Sequence, residues 1–142
     1  KIILSPGPGL PSEAGQMPEL IERFALLKPM LGVCLGCQAL GLYFGAELYN
    51  LEQVQHGVQT VIRTVDSNIL YKNIEDPLEV GRYHSWALKL SNASDLVPTA
   101  YDKKNVLMSF RHSTLSVFGI QYHPESIMTP QGKEIIRNWI NY

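Results

Sequence analysis

The segment MLGVCLGCQALGLYFG, residues 30–45, restricts the fold more than any other stretch of this chain. A short apolar run meets Gly32-Val33-Cys34-Leu35-Gly36, and a helix-forming stretch follows to about Phe44, stopping near Gly45. G-x-C-x-G between a buried strand and a helix has the layout of a nucleophile elbow, with cysteine in the place of serine. Small residues on both flanks let the backbone turn sharply against itself and its neighbours. Such a turn carries the sulfur at the strand's end, where the unpaired N–H groups of a helix N-terminus favour thiolate and lower a pKa that starts near ~8.5. The N–H of Leu35 is then placed to help stabilise an oxyanion. Cys34 and Cys37 also spell C-x-x-C, and a redox dithiol likewise follows a strand and opens a helix. No second C-x-x-C or H-x-x-x-H supplies further ligands for a metal. This segment alone leaves three readings open: a nucleophile, a redox pair, or two inert buried cysteines.

A strand that feeds a helix in this way belongs to a βαβ pattern, and the first third of the chain repeats it. KIILS reads as a buried strand, PGPGLPSEAGQ as a loop, and MPELIERFALL as a helix with Leu20, Ile21, Phe24 and Leu27 on one face. PMLGV is the second strand. Beyond Gly45 the texture changes to five short β-prone segments, VQTVIRTV, LEVGRYHSW, VPTAYDK, VLMSFRHS and VFGIQYHP, before a closing helix with Ile135, Ile136, Trp139 and Ile140 toward the core. The expected fold is α/β: a mostly parallel central sheet flanked by helices, with an added antiparallel portion, in a single domain over residues 1–142. The chain opens at Lys1, without methionine and inside a strand-like run, so N-terminal elements are expected to be missing.

Twelve basic and thirteen acidic residues leave a net charge of -1 with no run of like charge, which argues against nucleic acid or an anionic membrane as partner. No apolar run approaches a membrane span. Two cysteines and no signal-peptide pattern make a cytoplasmic location the expectation. A small neutral or zwitterionic substrate fits this charge balance.

His123-Pro124-Glu125 ends the last β-prone segment. In extended chain, residues two apart point to the same side, ~6–7 Å along, and the proline holds the pair in one arrangement. A cysteine nucleophile needs a base to take and return a proton, and the base needs an orienting acceptor. Cys34, His123 and Glu125 supply all three, which predicts acyl transfer through a thioester.

Taken together and in order, SPGPGLPSEAG, GVCLGCQAL, RYHSW and GIQYHPESIMTPQG resemble the triad-type class I glutamine amidotransferases. Within that family the resemblance is to the glutamine amidotransferase subunits of anthranilate synthase and aminodeoxychorismate synthase. It implies a flavodoxin-like fold and no cofactor or metal. Cys34 would attack the side-chain amide of glutamine, His123 shuttle the proton and Glu125 orient His123, while water releases glutamate. The ammonia would serve a chorismate-aminating synthase large subunit. The resemblance further implies that the backbone of Gly7, Pro8 and Gly9 contributes to glutamine binding and the oxyanion hole, beside Leu35. Gln38 would pair with the α-carboxylate or α-amino group, and Ser85 and Trp86 would offer main-chain contacts to the substrate's polar end. His56 is associated with the partner-facing surface, His84 with packing or an interface, and His112 with no role.

Two positions depart from the family pattern: Cys37 stands where relatives usually carry histidine, and Val58 where many carry lysine. Relatives also begin with a further strand and helix. Two other classes of function compete with the amidotransferase reading, a dithiol oxidoreductase using Cys34 and Cys37, and a non-catalytic interaction module of amidotransferase shape.

Overall fold

The structure is a computed structural model that describes residues 1–142. Seven strands form one sheet: β1 (Ile2–Leu4), β2 (Met30–Val33), β3 (Glu47–Thr64), β4 (Leu78–Lys89), β5 (Leu96–Asp102), β6 (Leu107–His112) and β7 (Val117–Ile120). Their order is β1-β2-β7-β6-β5-β3-β4, and the helices are α1 (Met17–Phe24), α2 (Leu35–Tyr43) and α3 (Gly132–Ile140). Both expected parts are present, but the balance shifts toward the antiparallel one. Only β1–β2 and β2–β7 pair in parallel, and the other four pairings are antiparallel. VFGIQYHP, grouped by sequence with the antiparallel segments, is the seam: β7 runs parallel to β2 and antiparallel to β6. Its uninterrupted apolar start suits a strand buried on both faces.

Alternation along β2 and β7 divides two apolar cores across the sheet. Leu31, Val33, Phe118 and Ile120 pack with Ile135 and Trp139 of α3. Met30 and Val117 pack on the other face with Ile21 of α1 and Leu40 of α2. α2 lies unusually close to the sheet. A Cβ on Gly32 would come within 2.4 Å of the Gly36 carbonyl oxygen, and one on Gly36 within 2.4 Å of the Leu4 carbonyl oxygen. The two glycines around Cys34 are therefore required by backbone contact, since no L side chain fits at those distances.

β3 begins at Glu47, eleven residues before the sequence pattern places a strand. Its outer half is largely exposed, so it carries no apolar alternation to read. α1 stops at Phe24, ahead of Pro29, and leaves Leu27 71% exposed instead of on the core face. Ile140, at the end of α3, is likewise exposed. The β3–β4 ribbon loses register between Asn50 and Gln55 and again between His56 and Val58. These irregularities bend and twist it, so that the last strand in the sheet order curls back toward the third. Gly81 of β4 bridges His123 just beyond β7, the His123 N–H donating to the Gly81 carbonyl at 3.0 Å. Thr129 latches the junction: its hydroxyl accepts from the Gly81 N–H at 2.9 Å and donates to the His123 carbonyl at 2.7 Å.

One buried ion pair ties β4 to the end of β5. Arg82 Nη1 donates to Asp102 Oδ2 at 2.6 Å, with both side chains under 5% exposed. Asp102 Oδ1 accepts the N–H groups of Lys104 and Val106 at 2.9 and 2.8 Å, so the carboxylate is satisfied on both oxygens. Removing one partner leaves a buried charge uncompensated. Asp102→Ala is expected to destabilise the fold by about 3–5 kcal/mol in urea denaturation; a loss well below 1 kcal/mol would contradict this account.

Candidate active site

Cys34 occupies the turn between β2 and α2 with φ 50° and ψ -103°, a conformation that L residues rarely adopt. Its N–H donates to the Ile120 carbonyl at 2.9 Å, continuing the β2–β7 ladder, and its carbonyl accepts the Gln38 N–H at 3.0 Å, the first bond of α2. Strand and helix thus pin the residue from both sides, which offsets a backbone cost on the order of 1–3 kcal/mol.

A pocket of about 180 Å³ opens at this turn. It is lined by Gly7, Pro8 and Gly9 of the first loop, by Cys34, Leu35 and Gln38 at the turn, and by Ser85 and Trp86 of β4. Every residue singled out by sequence for binding therefore lies on one cavity. Val54, Gln55 and His56 of the β3 ribbon also line it, and Ser85 falls where β3 leaves register.

His123 and Glu125 adjoin this pocket without lining it. The His123 Nδ1–H donates to Glu125 Oε1 at 2.7 Å, and Nε2 is buried with no partner. That bond leaves Nε2 as the ring's proton-accepting nitrogen. Tyr83, which does line the pocket, packs edge-on against the His123 ring at 4.9 Å between centroids and against His56 at 5.7 Å. Its hydroxyl reaches Ser126 Oγ at 3.2 Å. Tyr83 thus packs between the pocket and the His123 ring.

The thiols depart from expectation. Cys34 is pushed up to about 11, chiefly because burial penalises the thiolate; the Leu35 N–H opposes this, the Glu125 charge adds to it, and the Gln121 amide opposes it. The helix start does act in the expected direction, but burial among apolar side chains outweighs it. Cys37, 2% exposed, packs as a core residue beneath β7, where a Cβ on Gly119 would meet both its sulfur and the Phe110 ring. Burial also raises its thiol well above the ordinary range. Both cysteines are free and buried, and burial raises both thiols, which disfavours the thiolate that an exchanging dithiol uses.

Gln38 differs in its available chemistry. Its Nε2 donates to the Trp86 carbonyl at 2.9 Å and to Gln121 Oε1 at 3.1 Å, so both amide hydrogens are committed within the protein. Only its Oε1 is left for a ligand, which suits an α-ammonium group and not an α-carboxylate. The Trp86 carbonyl, accepting from Gln38 and from His84, is likewise already engaged.

His84 proves to be a fixed structural group. Arg82 Nε donates to its Nε2 at 3.0 Å, so its Nδ1 carries the hydrogen and donates to the Trp86 carbonyl at 2.8 Å. Burial first, then the Arg82 charge, lower its pKa to about 4. His112 holds a turn, its Nδ1 accepting the N–H groups of Thr114 and Leu115 at 3.2 and 3.1 Å. Sequence reasoning missed Arg82, Asp102 and Gln121. The only signal for them was spacing: Arg82, His84 and Trp86 alternate onto one face of β4, and Gln121 stands two residues before His123.

Residues 1–141 match the glutamine amidotransferase class-I family. The chain is 42% identical over 146 residues to anthranilate synthase component 2 of Pseudomonas aeruginosa, covering 99% of this chain and 72% of that one. It is 40% identical over 145 residues to aminodeoxychorismate synthase component 2 of Serratia marcescens, covering 99% and 75%. The crystal structure of a glutamine amidotransferase from Thermotoga maritima superposes with a TM-score of 0.71 at 23% identity, over 98% of this chain and 60% of that one, a likeness of fold. In this chain's fold, a cysteine at a strand-to-helix turn opens on a pocket of an α/β protein. The chain belongs to the class I glutamine amidotransferase family.

The neutral His84 makes stability pH-dependent. Its folded pKa of about 4 lies below the ordinary 6.5, so the unfolded chain binds a proton in that window which the folded chain refuses. The stabilisation is complete above pH 6.5 and declines as pH falls toward 4, by on the order of 3 kcal/mol. Urea denaturation of the wild type and His84→Asn between pH 7 and 4.5 should show a shallower decline in the variant; identical slopes would contradict the assignment.

Proposed function

We propose that this chain is the glutamine-hydrolysing component of a two-component synthase that aminates chorismate, with Cys34 as nucleophile, His123 as acid–base and Glu125 as its orienting carboxylate. The observation that carries this reading is the buried, unpartnered Nε2 of His123, whose Nδ1–H is held by Glu125, beside a pocket that opens on Cys34. A thiol held near 11 ionises too little at neutral pH to act unaided, so a base is required at the moment of attack.

In the proposed reaction His123 Nε2 takes the thiol proton as Cys34 Sγ bonds to the side-chain amide carbon of glutamine. The carbonyl oxygen becomes an oxyanion facing the Leu35 N–H and the Gly7–Gly9 backbone, and each such donor typically contributes about 3 kcal/mol. His123 then passes its proton to the amide nitrogen, the C–N bond breaks and ammonia leaves, giving a thioester. Water attacks that carbonyl while His123 takes its proton; the C–S bond breaks, the sulfur regains the proton and glutamate departs. Gln38 Oε1 accepts from the substrate α-ammonium, and the Ser85 backbone, beside the irregularity in β3, lines the same pocket. The substrate's small size matches a pocket below the drug-sized range.

The relatives in P. aeruginosa and S. marcescens are named as components of anthranilate and aminodeoxychorismate synthases, and they support a chorismate-aminating large subunit as recipient of the ammonia. The full-length protein mixed with its synthase subunit should release glutamate from glutamine, and the aminated product formed identifies which of the two synthases it serves. Cys34→Ser should lower glutamate release at least about 1,000-fold. Retention of activity by that variant would refute the mechanism, and absence of activity in a folded wild-type complex would favour the non-catalytic interaction module.

A further inference from the structure

Gln121 is a 2% exposed polar side chain that the reaction as written leaves unused. It follows β7 directly, its N–H donating to the Met108 carbonyl at 2.9 Å, and its amide lies between α2 and the nucleophile. Oε1 accepts from Gln38 Nε2 at 3.1 Å, and Nε2 lies 3.7 Å from Cys34 Sγ. The orientation of this amide is dictated from a distance. The Trp86 carbonyl only accepts, so Gln38 must present Nε2 to it; the second Gln38 hydrogen then selects Gln121 Oε1, and Gln121 is left to offer N–H to sulfur. On the other side of that carbonyl stand His84, Arg82 and Asp102, joined by contacts of 2.8, 3.0 and 2.6 Å. A continuous chain of directed hydrogen bonds therefore runs from a buried ion pair to the nucleophile.

We propose that Gln121 is a catalytic residue: its Nε2–H, aimed by the Trp86 carbonyl through Gln38, donates to the Cys34 sulfur whenever that sulfur carries negative charge. The sulfur does so twice, once as its proton passes to His123 and again as the C–S bond of the thioester breaks. The donor serves acylation and deacylation alike and leaves glutamine binding alone. Among the ionisable groups, the Glu125 charge opposes the Cys34 anion, and His123 favours it only once it holds the transferred proton. The neutral donors that favour the anion are the Leu35 N–H and the Gln121 amide, and of these only Gln121 is a side chain.

The inference rests on Cys34 as nucleophile, and its test separates the two. Iodoacetamide alkylation of Cys34, followed by peptide mass spectrometry across pH in the full chain, reports thiolate formation whether or not glutamine is hydrolysed. Gln121→Met and Gln121→Glu should raise the apparent Cys34 pKa by about one unit, slowing alkylation at a fixed lower pH about tenfold. The glutaminase kcat should fall about tenfold with KM within about twofold. Gln121→Glu keeps an acceptor for Gln38 and so retains the structural part of the chain. A folded glutamate variant with the wild-type alkylation profile and kcat would overturn the proposal. In the unmodified protein, the Gln121 side-chain amide proton should shift as Cys34 titrates, and a resonance that stays fixed through that titration would overturn it equally.

Discussion

The contact on which the rest depends is backbone against backbone at the turn from β2 into α2. Gly36 lies against the Leu4 carbonyl and Gly32 against Gly36, so α2 is held closer to the sheet than side chains would permit. This proximity forces the chain to reverse over one residue, and Cys34 takes up the positive φ. Its strain is held by bonds to β7 on one side and α2 on the other. The same closeness gives the sulfur its surroundings. Cys34 joins the apolar cluster of Val33, Ile120 and Tyr122 while remaining at the pocket, and burial there holds it protonated. Position and chemistry of the thiol are one consequence of two missing Cβ atoms.

A buried thiol needs polar company, and the curled ribbon brings it. The sheet begins as a parallel three-strand core, but β3 and β4 would lie far from Cys34 if the sheet stayed flat, with β7, β6 and β5 between. The irregularities in β3 and the bridge between Gly81 and His123 bring β4 around. Tyr83 then meets the His123 ring, and the Trp86 carbonyl meets Gln38. His123, fixed by its backbone to β4 and by its ring to Glu125, reaches the site from beyond β7. Residues far apart in sequence meet because the sheet closes on itself at this one end.

The parts legible in the sequence were those whose chemistry needs a particular residue at a particular spacing. Gly32 and Gly36 around Cys34, the glycines of the first loop, and His123 two residues from Glu125 all announce a local geometry, and the structure gathers them at one end of the sheet. Apolar runs revealed the buried strands for the same reason, since each must cover two faces. The first part of β3 was invisible because most of its side chains are exposed or only partly buried and carry no regular apolar period. Arg82, Asp102 and Gln121 were hidden for another reason: a buried polar residue is written with the same letter as an exposed one. Only the fold shows that an arginine at position 82 meets an aspartate at 102.

The thiol's shift illustrates how that missing information changes chemistry as well as contacts. A helix N-terminus favours an anion by a modest local term that falls off within a turn, whereas desolvation acts on the whole charged group. Sequence spacing reports the first and is silent on the second, so the sign of the sum follows from burial. Once burial wins, the site divides labour differently from a resting thiolate. In the proposed mechanism the ground state is neutral, the charge appears only when His123 accepts the proton, and the groups that meet the charge are already in place. Donors held in advance by a rigid hydrogen-bonded chain need no reorganisation when charge develops. Asp102 and Arg82 lie far along that chain from the sulfur, and the Arg82 N–H on His84 Nε2 leaves the His84 Nδ1–H for the Trp86 carbonyl. The carbonyl of Trp86 then selects the amide of Gln38, and Gln38 selects that of Gln121. Rigidity of this kind is what a neutral, buried nucleophile requires.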